Sequence, residues 1–97
     1  MLKLNNNAKY TFTLKDPTYV LVKLVNIIGL EMATLINETR GPGSYEVRFD
    51  GSKCPAGIYY YKLFAEDPAP NGYETITLAD CPDKKFRLID TKEILIL

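Results

Sequence analysis

The segment TYVLVKLVN, residues 18–26, places apolar residues at every second position, and this period constrains the chain more than any other feature. Val20, Val22 and Leu24 fall on one side, Tyr19, Leu21, Lys23 and Val25 on the other, and Lys23 marks the second side as the wetter one. Successive side chains of a strand point to opposite faces, so the segment is a β-strand with one face turned to a core. The period returns in SYEVRFD (44–50), where Tyr45, Val47 and Phe49 should face inward and Glu46 and Arg48 outward. It returns again in GIYYYKLFAE (57–66). There Lys62 sets the sides: Tyr59, Tyr61, Leu63 and Ala65 toward the core, with Ile58, Tyr60, Lys62 and Phe64 on the outer face or against a neighbouring element.

Turn formers divide these runs. In NIIG (26–29), Asn26 suits the opening of a tight turn and Gly29 a positive φ, which makes a hairpin into LEMATLIN (30–37). A short amphipathic helix over 30–38 competes there. The strand reading is preferred, because only about three residues separate it from the preceding strand. RGPGS (40–44) breaks the chain, and EDPAPNGY (66–73), with two prolines and Asn-Gly, is a loop. KYTFTL (9–14), YETITL (73–78), KKFRLID (84–90) and KEILIL (92–97) are further strands, the last two separated at Asp90-Thr91. Seven or eight short strands without a long helix predict an all-β, immunoglobulin-like antiparallel sandwich occupying residues 1–97 as one domain.

Composition narrows the function. Ninety-seven residues are enough for one modest core. Twelve basic residues balance twelve acidic ones, so no net field draws the chain to nucleic acid or anionic lipid. No apolar run is long enough for a membrane helix, and MLKLNNNAKY lacks the layout of a secretory signal. Histidine is absent and the cysteines number two, Cys54 and Cys81, which together exclude the usual four-ligand zinc site. Each cysteine precedes a proline and so sits in an extended or turn segment. That leaves open either a single disulfide or two unpaired thiols.

Without histidine, a hydrolase would need Asp, Glu, Lys or Tyr as its base, and no serine sits in a G-x-S-x-G elbow. Glu66-Asp67 and the loop residues Asp80 and Asp83 read as solvated charges, and GPGS lacks the lysine and the helix that a phosphate loop needs. Asp50 with Ser52 offers calcium one carboxylate where several are wanted, so Asp50 reads as a turn cap. The tyrosine run 59–61 invites a ligand-platform reading, yet alternation sends two of the three rings inward and leaves Tyr60 facing out. The expectation is a non-catalytic domain without cofactor or metal.

The stretch VLVKLVNIIGLEMATLINETRGPGSYEVRFDGSKCPAGIYYYKLFA resembles the C-terminal sorting domain of cargo of the bacterial type IX secretion system, and also the immunoglobulin-like domain of flagellar hook-capping proteins. The resemblance is carried by Val20, Val22 and Leu24, then Asn26 and Gly29, Met32 and Leu35, Gly43, Tyr45, Val47, Phe49 and Asp50, and Gly57, Ile58, Tyr59 and Leu63. It covers residues 18–65. Hook-capping domains usually carry tryptophan before the Asp-Gly, where this chain has Phe49, and this favours the sorting group. Sorting domains end soon after the Gly-x-Tyr strand with a short lysine-containing apolar strand. The terminal TKEILIL fits that part and makes 66–91 an inserted hairpin.

The resemblance implies a tail of an exported, extracellular or cell-surface protein, recognised by the outer-membrane translocation machinery. Recognition residues would be Lys92, Ile94, Leu95, Ile96 and Leu97, and the partner a protein rather than nucleic acid, membrane or small molecule. A structural assembly module is the alternative. A ligand-binding sandwich using Tyr60 and Tyr73 is a third reading.

Overall fold

The computed structural model describes residues 7–50, 54–67 and 75–96, and among them every regular element is a strand. The strands are β1 (Asn7–Leu14), β2 (Thr18–Asn26), β3 (Glu31–Arg40), β4 (Gly43–Asp50), β5 (Gly57–Glu66), β6 (Ile76–Leu78) and β7 (Cys81–Ile96). They form two antiparallel sheets: a pair, β1-β4, and a five-stranded sheet in the order β3-β2-β5-β7-β6. The two sheets pack face to face as a β-sandwich. The segment that could have formed a helix over 30–38 is strand from Glu31 onward, as its short spacing from β2 predicts.

The period-two pattern builds the core between the sheets. Tyr10, Phe12 and Val47 from the small sheet meet Val20, Val22, Leu24, Ile36, Tyr59, Tyr61, Leu63, Ile94 and Ile96 from the large one. Tyr45 and Phe49 pack against this core, as alternation in β4 requires. Burial of side chains this size contributes about 1.5–3 kcal/mol each. Tyr10 stacks on Tyr61 across the two layers with centroids 5.4 Å apart, and Phe12 stacks on Tyr45, its partner within the small sheet, at 5.4 Å.

Two expectations are corrected. The side of β2 that carries Lys23 is not wet: Leu21 is fully buried, and Lys23 and Val25 are each only 6% exposed. The cause is a second, smaller core on the back of the large sheet, made by Leu21, Phe64, Cys81 and Phe86 with Tyr19 and Leu78 beside them. Nor do KKFRLID and KEILIL form two strands. β7 runs unbroken through Asp90-Thr91 and pairs with β5 along its length. A register shift opposite Leu63 and Phe64 takes up the irregularity, because Leu63 faces Asp90 and Phe64 faces Leu88, which leaves Ile89 as the extra residue of a bulge.

The chain changes sheets three times, β1 to β2, β3 to β4 and β4 to β5, and the same device secures the last two corners. The Tyr45 hydroxyl donates to the Gly41 carbonyl at 2.6 Å, and the Tyr59 hydroxyl donates to the Pro55 carbonyl at 2.7 Å. Each tyrosine is the third residue of the strand leaving the corner and reaches four residues back, in the manner of the tyrosine corners of β-sandwiches. Gly43 and Gly57, which open the two strands, have φ of 142° and 151°.

Candidate functional site

The turn between β2 and β3 stands on Asn26. Its side-chain oxygen accepts from the backbone N–H groups of Ile28 at 3.1 Å and Leu30 at 2.9 Å, while its carbonyl accepts from Gly29 N–H at 2.9 Å. Gly29 takes φ of +90°, the left-handed conformation that costs a residue with a Cβ. With its polar groups satisfied internally, the turn points its apolar side chains outward: Ile27 is 65% exposed, Ile28 77% and Leu30 59%. Met32, just inside β3, is also exposed.

The register places β7's end beside this turn. Asn26 lies opposite Tyr59, and Tyr59 opposite Ile94, so Leu95 leaves the sheet at the same end as Ile27. Ile94 and Ile96 face the core, whereas Leu95 points to the back of the sheet and is 57% exposed. Ile58, opposite Leu95, and Tyr60 are half-buried on that same face. One end of the molecule therefore carries an apolar surface made by the turn, Leu95, Ile58 and Tyr60.

The other end of the back face is closed by the chain itself. β6 and β7 turn through Ala79-Asp80, with Leu78 opposite Cys81, and this arm reaches across to β2 and β3. The ammonium of Lys23 donates to Glu31 Oε1 and Asp80 Oδ1, and Thr34 Oγ1 donates to Glu31 Oε2 at 3.0 Å. Burial alone would lower the Lys23 pKa, but its hydrogen bonds to Asp80 and Glu31 outweigh this and hold it above its ordinary value. The hydrogen bond from Lys23 likewise keeps the Asp80 carboxyl below the usual range, against the opposing effect of burial.

Beside this latch, the Tyr19 hydroxyl donates to Asn37 Oδ1 at 2.6 Å, and the Cys81 thiol lies 3.5 Å from both. Hydrogen bonding to Cys81, followed by burial, pushes the Tyr19 phenol up to about 12. The Lys84 ammonium stands 4.8 Å over the Tyr19 ring. The ammonium and carboxylates are thus consumed in holding the arm, and the phenol is held protonated.

The structure scatters the remaining residues singled out by sequence. Lys92 is exposed and donates to the Lys9 carbonyl at 3.2 Å, which ties β7 to β1. Leu97, Ser52, Tyr73 and the Asp50 side chain lie outside the described residues. Glu66 pairs with Lys84 at 3.5 Å and Asp67 with Arg87 at 3.3 Å, while Asp83 is exposed. Cys54 and Cys81 are free thiols: Cys54 packs on the core between the sheets, Cys81 in the cluster behind the large sheet, so the disulfide left open by the sequence is not formed. Among the described residues no group of three or more His, Cys, Asp or Glu is placed to hold a metal, and no helix is long and apolar enough to cross a membrane.

Sequence reasoning missed the latch. Its signal was a lysine in the middle of a strand otherwise apolar on both faces, which demands a carboxylate from elsewhere in the chain. It also missed the two tyrosine pins, each visible as a tyrosine four residues after the glycine or proline of a corner. Comparison of the chain with protein-family models, with curated proteins and with solved structures finds no match.

Proposed function

We propose that this chain is a non-catalytic recognition domain, an immunoglobulin-like sorting module of the type IX secretion kind, read by a protein partner of the outer-membrane translocation machinery. It would serve as part of a longer exported protein. The observation that carries this reading is the apolar end formed by Ile27, Ile28, Leu30 and Leu95. A turn whose backbone is satisfied internally has no folding reason to display three large aliphatic side chains, and exposed apolar groups gathered at one place mark interaction surfaces. The resemblance over residues 18–65 supports the same reading, since Asn26, Gly29, Gly43, Gly57 and Tyr59 each have a defined structural task. Recognition would use the turn and Leu95, with Ile94 and Ile96 holding β7 in the core.

The test is to fuse residues 1–97 behind a periplasmically exported reporter in a bacterium that has the type IX machinery. Release of the reporter to the surface or medium is expected. A reporter that stays periplasmic with the tail attached contradicts the reading and leaves the structural-module alternative in its place.

A further inference from the structure

The two-stranded sheet ends in β4, whose only strand neighbour among the described residues is β1. Free strand edges invite pairing with other chains, and proteins usually blunt them with bulges, proline or lysine. Of the two edge strands of the large sheet, β6 is only three residues long and β3 is blunted by register shifts opposite Val22/Lys23 and Leu24/Val25. β4 is not: its eight residues pair with β1 in unbroken register, and GSYEVRFD contains neither proline nor lysine.

We propose that β4 pairs antiparallel with the β4 of a second copy of this chain, about a two-fold axis at Val47. In that register Glu46 faces Arg48 of the second copy, Arg48 faces its Glu46, Tyr45 faces its Phe49, and Val47 faces Val47. The segment is self-complementary in charge and in ring contacts. A symmetric interface requires this, because each copy supplies the same patch. Glu46 and Arg48 are both exposed on the outer face of β4 and already bond to each other at 2.5 Å, so they stand ready to exchange partners across the axis. Tyr45 and Phe49 are half-buried at the edge of the core, and a facing strand covers the rest of each ring. The product is a continuous four-stranded sheet, β1-β4-β4-β1, with opposite charges directly across from one another, the favourable cross-strand arrangement. This inference goes beyond the sorting reading and does not depend on it.

Charge exchange tests it. By light scattering after size exclusion at about 100 µM, a concentration suited to a micromolar dimer, the 97-residue chain should be a dimer. Arg48→Glu alone sets Glu against Glu twice, Glu46→Arg alone sets Arg against Arg twice, and each should weaken dimerisation by roughly tenfold or more. An equimolar mixture of the two variants restores both opposite pairs and should give a heterodimer. The double exchange Glu46→Arg with Arg48→Glu should dimerise like the parent. A monomeric parent chain, an Arg48→Glu variant that dimerises undiminished, or a mixture that fails to associate would each overturn the proposal.

Discussion

Lys23 shows how one residue can carry information that its neighbours conceal. It sits in an inner strand of a sheet, β2, that is covered on both faces, and its ammonium is tolerated there because Glu31 and Asp80 meet it. The sign of the linkage follows from the two shifts. Asp80 is held below 3.8, so its contribution is complete above that pH and is lost as the pH falls through its lowered value; Lys23 is held above 10.5, so its contribution is complete below that pH and is lost on the alkaline side. Asp80→Asn should cost about 1 kcal/mol at neutral pH, and the variant should lose less stability than the parent on acidification below 3.8. Chemical denaturation at a series of pH values measures both effects, and an unchanged acid limb would show that Asp80 is not the titrating partner.

Gly29 makes a separate prediction at this scale. A Cβ there would meet nothing within 4 Å, so the strain of φ +90° is the sole penalty. Gly29→Ala should therefore cost about 1 kcal/mol, and Gly29→Asn less, because asparagine tolerates the left-handed region. Equal losses for the two variants in thermal unfolding would contradict this account.

At the scale of elements, legibility follows the physics of each signal. β4 was readable because a strand with one buried face writes its period directly into the sequence, as Tyr45, Val47 and Phe49 do, and β2 and β5 because a lysine, Lys23 or Lys62, interrupts one of their two apolar sides. The turn at 26–29 was readable because only a few residue types fit it. What alternation could not report was the back of the large sheet, since a face covered by a distant part of the same chain looks apolar without saying what covers it. Leu21 and Phe64 were visible as apolar residues on the outer side, but their partners Cys81 and Phe86 arrive from the arm formed by β6 and the start of β7, distant in sequence from β2. The single strand β7 was missed for a related reason. Asp90-Thr91 looks like a break, yet the bulge at Ile89 keeps both halves paired to β5, and Asp90 is used to accept from the Tyr10 hydroxyl at 2.7 Å.

The arm supplies the prediction at this scale. Phe86 is fully buried and anchors it, so Phe86→Ala should cost about 3–5 kcal/mol. The loss should appear first as faster hydrogen exchange in β6 and in the part of β7 that pairs with it, ahead of β2 and β5. Uniform acceleration across all strands would show that the arm and the sandwich unfold as one unit.

For the whole molecule, the arrangement is asymmetric in what it leaves uncovered. One end of the back face is closed by the arm, its charges paired, while the other end displays Ile27, Ile28, Leu30 and Leu95. The sandwich was legible from the strands, whereas this apolar end was not. Sequence placed recognition in Lys92 and the residues 94–97; of these, Lys92 and Leu95 are exposed, whereas Ile94 and Ile96 are buried. The most direct test is a matched pair of double substitutions in the reporter fusion: Ile28→Asp with Leu30→Asp at the turn, and Leu88→Asp with Ile89→Asp on the exposed part of β7 far from it. Both pairs replace exposed aliphatic residues and should leave the melting temperature nearly unchanged. The account predicts that the turn variant holds the reporter in the periplasm while the β7 variant releases it as the parent does; release that is equal for the two variants would contradict it.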